Sequence, residues 1–417
     1  MRRLLGRTWS WILVATLAAA TLTTGCGAEP EASEPSGLQT SFPGRDPSLQ
    51  REGDGTLHVV YVDEHPGGPA VFYRRLGPRA FGPVRVSPAG ISVSAHGEAP
   101  PILQILPGGS LTVAYAAALP GKWKNEIRLQ RSTDGGAHWG AAEHLHPERI
   151  GAHSYLSATV TAAGEPVFAW LDDSTGQMGL HAKVGSAPPV TLDSEACQCC
   201  GTALLAGNKG KVWLAYRDAD DDIRDFRVLR TDGVGGFDRG RTLSADEWKI
   251  QGCPHTGARL AQTPDGALWA TWFTAGTGQA GIYATTSTDD GETFSTRTLV
   301  AAAGPGKAVR HPELGALPDG SVVVLYESEG DGQRVLLAQT RDARTGVWET
   351  PRRVASGGLY PRWALGGDGA ALAFTCPTQT GSQVVVADWD IISRKDPEEG
   401  PAGFRCDGSP SHSGHAS

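Results

Sequence analysis

Residues 312–329 read PELGALPDGSVVVLYESE: a short apolar run, a Pro318-Asp319-Gly320 turn, then a β-branched stretch that ends on Tyr326. Proline presets the first turn dihedral and glycine accepts the positive φ that follows, so the segment reads as a β-hairpin. The same pattern returns along the chain, with its turn glycine at Gly55, Gly109, Gly164, Gly210, Gly266, Gly320 and Gly369. A period of about 50 residues is that of propeller blades, and it leaves no room for long helices. Each hairpin is followed by a second strand pair, so each unit is a four-stranded antiparallel sheet. Seven such units predict a single all-β propeller of seven blades over residues 44–391. Closure removes exposed sheet edges, which predicts that a strand near Leu38 to Phe42 completes the short last unit. A six-bladed ring follows instead if the first or last unit is only a partial blade.

Two of the second hairpins have their connection spelled out in full, RSTDGGAHW at 131–139 and TSTDDGETF at 286–294. Ser132, Asp134, Gly136 and Trp139 in the first match Ser287, Asp289, Gly291 and Phe294 in the second. LRTDGVGGF (229–237) and QTRDARTGVW (339–348) are worn versions. This Ser-x-Asp-x-Gly-x-x-aromatic pattern resembles the Asp box of the sialidase-like propellers, and the resemblance covers nearly the whole mature chain. The chemistry of the motif is structural. Its carboxylate accepts the free N–H groups of the turn, its glycine takes the left-handed conformation, and its ring packs into the sheet. These residues are expected to hold hairpins rather than to react.

The chain opens on Arg2, Arg3 and Arg7, an apolar run from Trp9 to Leu22, and then TLTTGCGAE at 21–29. The apolar core is too short for a stable span and reads as a secretory signal over residues 1–25. The small residues before Cys26 resemble a bacterial lipobox. That resemblance implies lipidation of Cys26 and a protein that faces the periplasm or the cell exterior; ordinary cleavage would release it instead. Residues 26–43 read as a Pro/Ser/Glu tether and 392–417 as a flexible tail of similar style. The net charge is −8 and no basic run appears, which argues against nucleic acid and leaves the lipid as the sole link to a membrane. A monomer is expected. Without Cys26, six of the seven cysteines remain, an even number that fits up to three bridges outside the cytoplasm.

In an up-and-down blade the turns after strands one and three share one face. The lead-in to each innermost strand and the loop after strand two therefore lie on the opposite, top face. Those lead-ins carry Arg45, His96, Glu98, His153, Cys199, Cys200, Cys253, His255, Arg310, His311 and Tyr360, which should converge on one central cup. The loops after strand two add Trp123, Tyr326, Glu327, and YRDADDDIRDFR at 216–227 with Arg217. The carboxylate run in that last loop lacks the glycine and distal glutamate of a calcium loop, and reads as a solvated rim.

True sialidases grip a carboxylate with three arginines, use a Tyr–Glu pair as nucleophile and use an Asp as acid/base. Arg45 in GRDPSL is similar to the first arginine of the family's Arg-x-Pro motif, and Tyr360 in GLYPRWAL looks like the nucleophilic tyrosine. The resemblance implies Asp63 as acid/base and Arg310 as another carboxylate clamp, and the top-face placement adds Glu327 as a further catalytic carboxylate and Arg217, His96 and Glu98 as substrate-binding candidates. A closer resemblance is to a bacterial subgroup of sialidase-like lipoproteins and secreted proteins that share the HGE (96–98), CxCC, YRD…IRD and ADEWKIQGCPHTG (245–257) segments. It implies a cell-surface protein, exo-α-sialidase-like, that binds or hydrolyses acidic glycans of the sialic-acid type.

Other readings of the same residues stay open. Cysteine and histidine together suit a transition metal such as copper or zinc, with Cys199, Cys253 and His255 as ligands. A Cys-x-Cys-Cys run is not a standard zinc knuckle, and on a strand only alternate members face the cup. Oxidation would instead make two disulfides among Cys197, Cys199, Cys200 and Cys253, tying blades four and five together, and a third, Cys376–Cys406, fastening the tail. In a non-catalytic glycan- or protein-binding propeller, Trp123 and Trp248 would be stacking platforms.

Overall fold

The computed structural model describes residues 37–147, 150–233, 236–367, 369–393 and 404–406. The signal segment, Cys26 and most of the tether lie outside these residues. Each sequence repeat forms its own antiparallel sheet, and the seven sheets are seven blades. The innermost strands are Arg45–Arg51, Ile102–Ile105, His153–Val160, Ala203–Ala206, Arg259–Gln262, Lys307–Ala316 and Leu359–Gly366. The second strands carry near-continuous apolar runs, as at 322–326 of Val322–Gly330, because they are covered on both faces. The core is laid down between neighbouring blades: Val60, Val62 and Tyr73 of blade one pack with Leu103, Val113 and Tyr115 of blade two.

Blade seven takes its outer strand from the other end of the chain. Gln39–Pro43 pairs antiparallel with Gly381–Asp388, with Phe42 opposite Val384. The expected closing strand is thus present, the ring has seven blades rather than six, and residues 39–43 belong to the propeller and not to the tether. At the far end, Phe404–Arg405 pairs in parallel with Arg352–Ser356 of blade six, and Cys406 is bonded to Cys376 of blade seven. Among the described residues no helix is long and apolar enough to cross a membrane.

The two Ser-x-Asp-x-Gly turns share one hydrogen-bond pattern. Ser132 Oγ donates to Asp134 Oδ1 (2.8 Å) and accepts the Gly136 N–H (2.9 Å), while the His138 N–H donates to Asp134 (3.0 Å). Ser287, Asp289, Gly291 and Thr293 repeat these bonds at 2.7, 2.9 and 2.9 Å. The N–H and hydroxyl donors hold both carboxylates below the usual range. Each turn also clamps its blade to the preceding one. Gly136, at φ 94°, leaves no room for a side chain over the Tyr73 ring, and the Trp213 indole of blade four donates to the Asp290 carbonyl at 3.0 Å.

Candidate functional site

Four innermost strands carry a bulge near their top ends. The register breaks between Arg45 and Ser48, Ser154 and Ser157, Arg310 and Glu313, and Leu359 and Arg362. Inside each bulge one non-glycine residue is left-handed: Asp46 (φ 52°), Tyr155 (54°), His311 (50°) and Tyr360 (51°). Pro47, Pro312 and Pro361 follow three of them, lacking the N–H that a bulge would leave unpaired. Each such conformation costs on the order of 1–3 kcal/mol and concentrates at functional sites. A bulge re-aims the side chain it carries.

His311 lies between two carboxylates, with Nδ1 2.8 Å from Glu327 and Nε2 3.2 Å from Glu98. Glu327, only 1% exposed, also accepts the Tyr360 N–H at 2.8 Å. The His311 and Tyr360 rings are 4.5 Å apart. Tyr360 lies directly over Gly97, where any side chain would collide with it, and Arg362 donates to the Gly97 carbonyl. That contact is why the lead-in of blade two needs a glycine between His96 and Glu98. Burial, followed by the charges of Glu327, Glu98 and Asp46, raises the pKa of the Tyr360 hydroxyl. The second carboxylate oxygen of Glu98, Oε2, is buried without a hydrogen-bond partner. His96 stands edge-on to Tyr155 at 5.5 Å, and burial lowers its pKa.

Beneath the cup an axial cavity of about 180 Å³ is lined by Glu98, Ser157, Thr202, Arg259, Glu313 and Arg362 among others. Arg259 Nε is 3.1 Å and Arg362 3.6 Å from the same Glu313 oxygen. The sequence reading missed this Arg–Glu–Arg floor. A larger hollow of about 430 Å³ beside the Asp319 turn of blade six is on the opposite face and has none of the strained residues.

The other predicted site residues divide into rim and interior. Arg45 pairs with Asp46 and donates to the Ala95 carbonyl at 3.0 Å; Arg310, 40% exposed along its side chain, pairs with Glu329 at 3.1 Å. Arg217 does not reach the cup. It is buried, donates to the carbonyls of Arg224 (2.6 Å) and Phe273 (2.8 Å), and lies against the rings of Phe226 and Trp248. Its role is to fasten the loop, and Trp248 is a packing residue rather than a platform. Trp123 does stand free in solvent. Asp63 stands at the end of the second strand of blade one and accepts the N–H of its neighbour Glu64 at 2.9 Å.

His153 is also interior. Its Nδ1 donates to the Asn125 carbonyl (2.8 Å), its Nε2 faces Asp172 (3.2 Å), and it stacks on His146 at 3.8 Å. Burial opposes its charge, but Asp172 and the Asn125 carbonyl outweigh it and raise the pKa. Burial and then the charge of His153 push His146 down to about 4. His146 is held neutral by its own bonds, since Nε2 accepts the Ile127 N–H (3.0 Å) and Nδ1 donates to the Pro147 carbonyl (2.8 Å). A folded pKa below the unfolded value near 6.5 means stability is complete above about pH 6.5 and falls toward pH 4, by up to about 1.4 kcal/mol per unit. His153 acts in the opposite sense, losing its contribution as pH rises through its raised pKa. His146→Gln keeps an acceptor for Ile127 without a titrating group, so urea midpoints across this range should show a flatter slope than wild type. Parallel slopes would contradict a neutral His146.

Disulfide formation is local at the cysteine cluster. Cys197 is bonded to Cys200, three residues away, so this bridge does not tie blades four and five. The predicted Cys376–Cys406 bridge is present. Cys199 and Cys253 are free, the first buried and the second exposed. Their sulfurs and an imidazole nitrogen of His255, which is also left-handed at φ 49°, all lie within 4.8 Å of one another.

No family model and no curated protein matches this sequence. Among solved structures, the chain is similar to a PL25 ulvan lyase bound to -[GlcA(1-4)Rha3S]-, with 11% identity over 84% of this chain and 95% of that one, and a TM-score of 0.54. A protein of unknown function from Dyadobacter fermentans DSM 18053 is 16% identical over 83% and 95% of the two chains, TM-score 0.47. The Hadza microbial sialidase Hz136 is 12% identical over 79% and 75%, TM-score 0.47. At these identities the likeness is one of fold: this chain is a seven-bladed β-propeller.

Proposed function

We propose that the cup is the active site of a glycan-cleaving propeller that takes a terminal acidic sugar of the sialic-acid type. The observation that carries this reading is the Glu98–His311–Glu327–Tyr360 cluster, in which the two carboxylates are buried and the half-buried His311 and Tyr360 are both held in strained conformations on the top face. A phenol whose pKa is raised stays protonated at neutral pH, so its attack on an anomeric carbon requires a base in the same step. Glu98, whose Oε2 has no hydrogen-bond partner, takes the Tyr360 proton as the phenol oxygen bonds the anomeric carbon and the glycosidic bond breaks, and the departing oxygen takes its proton from a second acid, the role the sequence resemblance gives to Asp63. Arg45 and Arg310 on the rim would exchange their acidic neighbours for the substrate carboxylate. A lipid on Cys26 would hold this activity at the membrane surface.

The test is turnover of a 4-methylumbelliferyl α-sialoside by the mature chain. Wild type should release the fluorophore, and Tyr360→Phe should lose about 10²-fold or more in kcat with an unchanged urea midpoint. Saturable binding of sialyllactose without turnover would make the cup a binding module. Neither binding nor turnover would reject the reading.

A further inference from the structure

We propose that Cys199, Cys253 and His255 form a binding site for a thiophilic d10 cation, Cu(I) or Zn(II), on the side of the cup between blades four and five. The inference is independent of the glycan reading. Four cysteines crowd this region, but the Cys197–Cys200 bridge removes two of them and encloses Cys199 in a tight loop. Cys199 is left as the buried free thiol of the run, beside the thiol of Cys253. The three donor atoms come from two chain segments more than fifty residues apart and lie within 4.8 Å of one another. Bonds of about 2.3 Å to sulfur and about 2.0 Å to nitrogen require ligand separations of roughly 3.5–4 Å, so modest side-chain rotation closes the set on a cation.

The chemistry of the set selects its ligand. Two thiolates and one imidazole are soft to borderline donors, which suit Cu(I) and Zn(II) and not calcium or magnesium. Binding involves no redox change: each thiol gives a proton to solvent as its sulfur bonds the metal. The Arg224 guanidinium reaches Cys197 Sγ at 3.4 Å, which places a positive charge beside the cysteine run. Cys253 and His255 are exposed while Cys199 is buried, so the site has a closed inner end and an open outer one through which the cation enters. The left-handed backbone of His255 is a further cost met at this spot.

The experiment uses the full mature chain, purified anaerobically with its two disulfides intact. Cu(I) is titrated against bathocuproine disulfonate, and Zn(II) in a separate series against a chromophoric chelator; bound metal and intact mass are read by mass spectrometry. The expected result is one equivalent of one of the two cations and, once denaturation has released the metal, a mass four hydrogens below the fully reduced chain from the two bridges. Cys253→Ser and His255→Ala should each weaken retention on the order of 10²-fold, since even outer-shell changes cost 10–100-fold. Both residues are exposed, so the fold is not at stake, and near-UV circular dichroism should be unchanged. No competition with either chelator would overturn the proposal. So would a metal-free anaerobic protein six hydrogens below the reduced mass, which would place a third disulfide between Cys199 and Cys253.

Discussion

A chain that begins at Gly44 should give no stable monomeric propeller. The missing strand Gln39–Pro43 supplies five paired positions to Gly381–Asp388, at about 1 kcal/mol for each hydrogen bond lost. It also removes Phe42, which packs on Tyr61 at 4.8 Å and lies under the Arg74 guanidinium, worth about 1.5–3 kcal/mol. The sum is roughly 5–10 kcal/mol, comparable with the whole stability of about 5–15 kcal/mol typical of a domain. The ring would also be left with Val384, Val385 and Val386 on an uncovered edge, a template for pairing with another chain. Gel filtration and urea unfolding of chains starting at Gly27 and at Gly44 make the comparison. A monomeric product with an unchanged midpoint would show the closing strand to be dispensable.

Replacing Glu327 by alanine should cost about 3–5 kcal/mol, the usual effect of removing one partner from a buried ionic cluster. Its one carboxylate restrains two strained residues, by accepting from the His311 ring and from the Tyr360 N–H. Without it the Tyr360 amide loses its acceptor, and both left-handed turns lose the bond that holds them. Glu327→Gln retains an amide oxygen for the Tyr360 N–H and should recover part of the stability but not the charge that faces His311. Urea midpoints of the two variants, measured beside sialoside turnover, separate the two roles. An alanine variant within about 1 kcal/mol of wild type would mean that the bulges hold His311 and Tyr360 unaided.

The blades were legible because each hairpin turn demands a glycine, and Gly55 to Gly369 mark them at one spacing. Closure at Leu38–Phe42 followed from the cost of a bare edge, and the Cys376–Cys406 bridge from the even number of cysteines. Topology alone placed His96, Glu98, His311 and Tyr360 on one face, and His311 lies against both Glu98 and Tyr360. Depth was not legible. Arg217 and His153 lie in loops and strand ends that look exposed in sequence, yet the guanidinium and the imidazole are buried against Phe226 and Asp172. Arg259, Glu313 and Arg362 were missed because their contacts cross blades and exist only once the ring has closed. Their trace was nevertheless present: each is a charged residue seven positions before a turn glycine, Gly266, Gly320 and Gly369, where most repeats carry an uncharged one. The cysteine run failed in another way, since four thiols in reach of one another permit several pairings and only three-dimensional distance chooses Cys197 with Cys200.

The repeated kink at Asp46, Tyr155, His311 and Tyr360 separates aiming from reacting. The main chain performs the same manoeuvre in four blades, and only the group at the tip differs: an acid, a phenol, an imidazole and a second phenol. Such a ring behaves as a set of matching sockets, each accepting a different tool. A relative that keeps the sockets can change what it handles by exchanging tips one at a time, with no rearrangement of the blades that hold them.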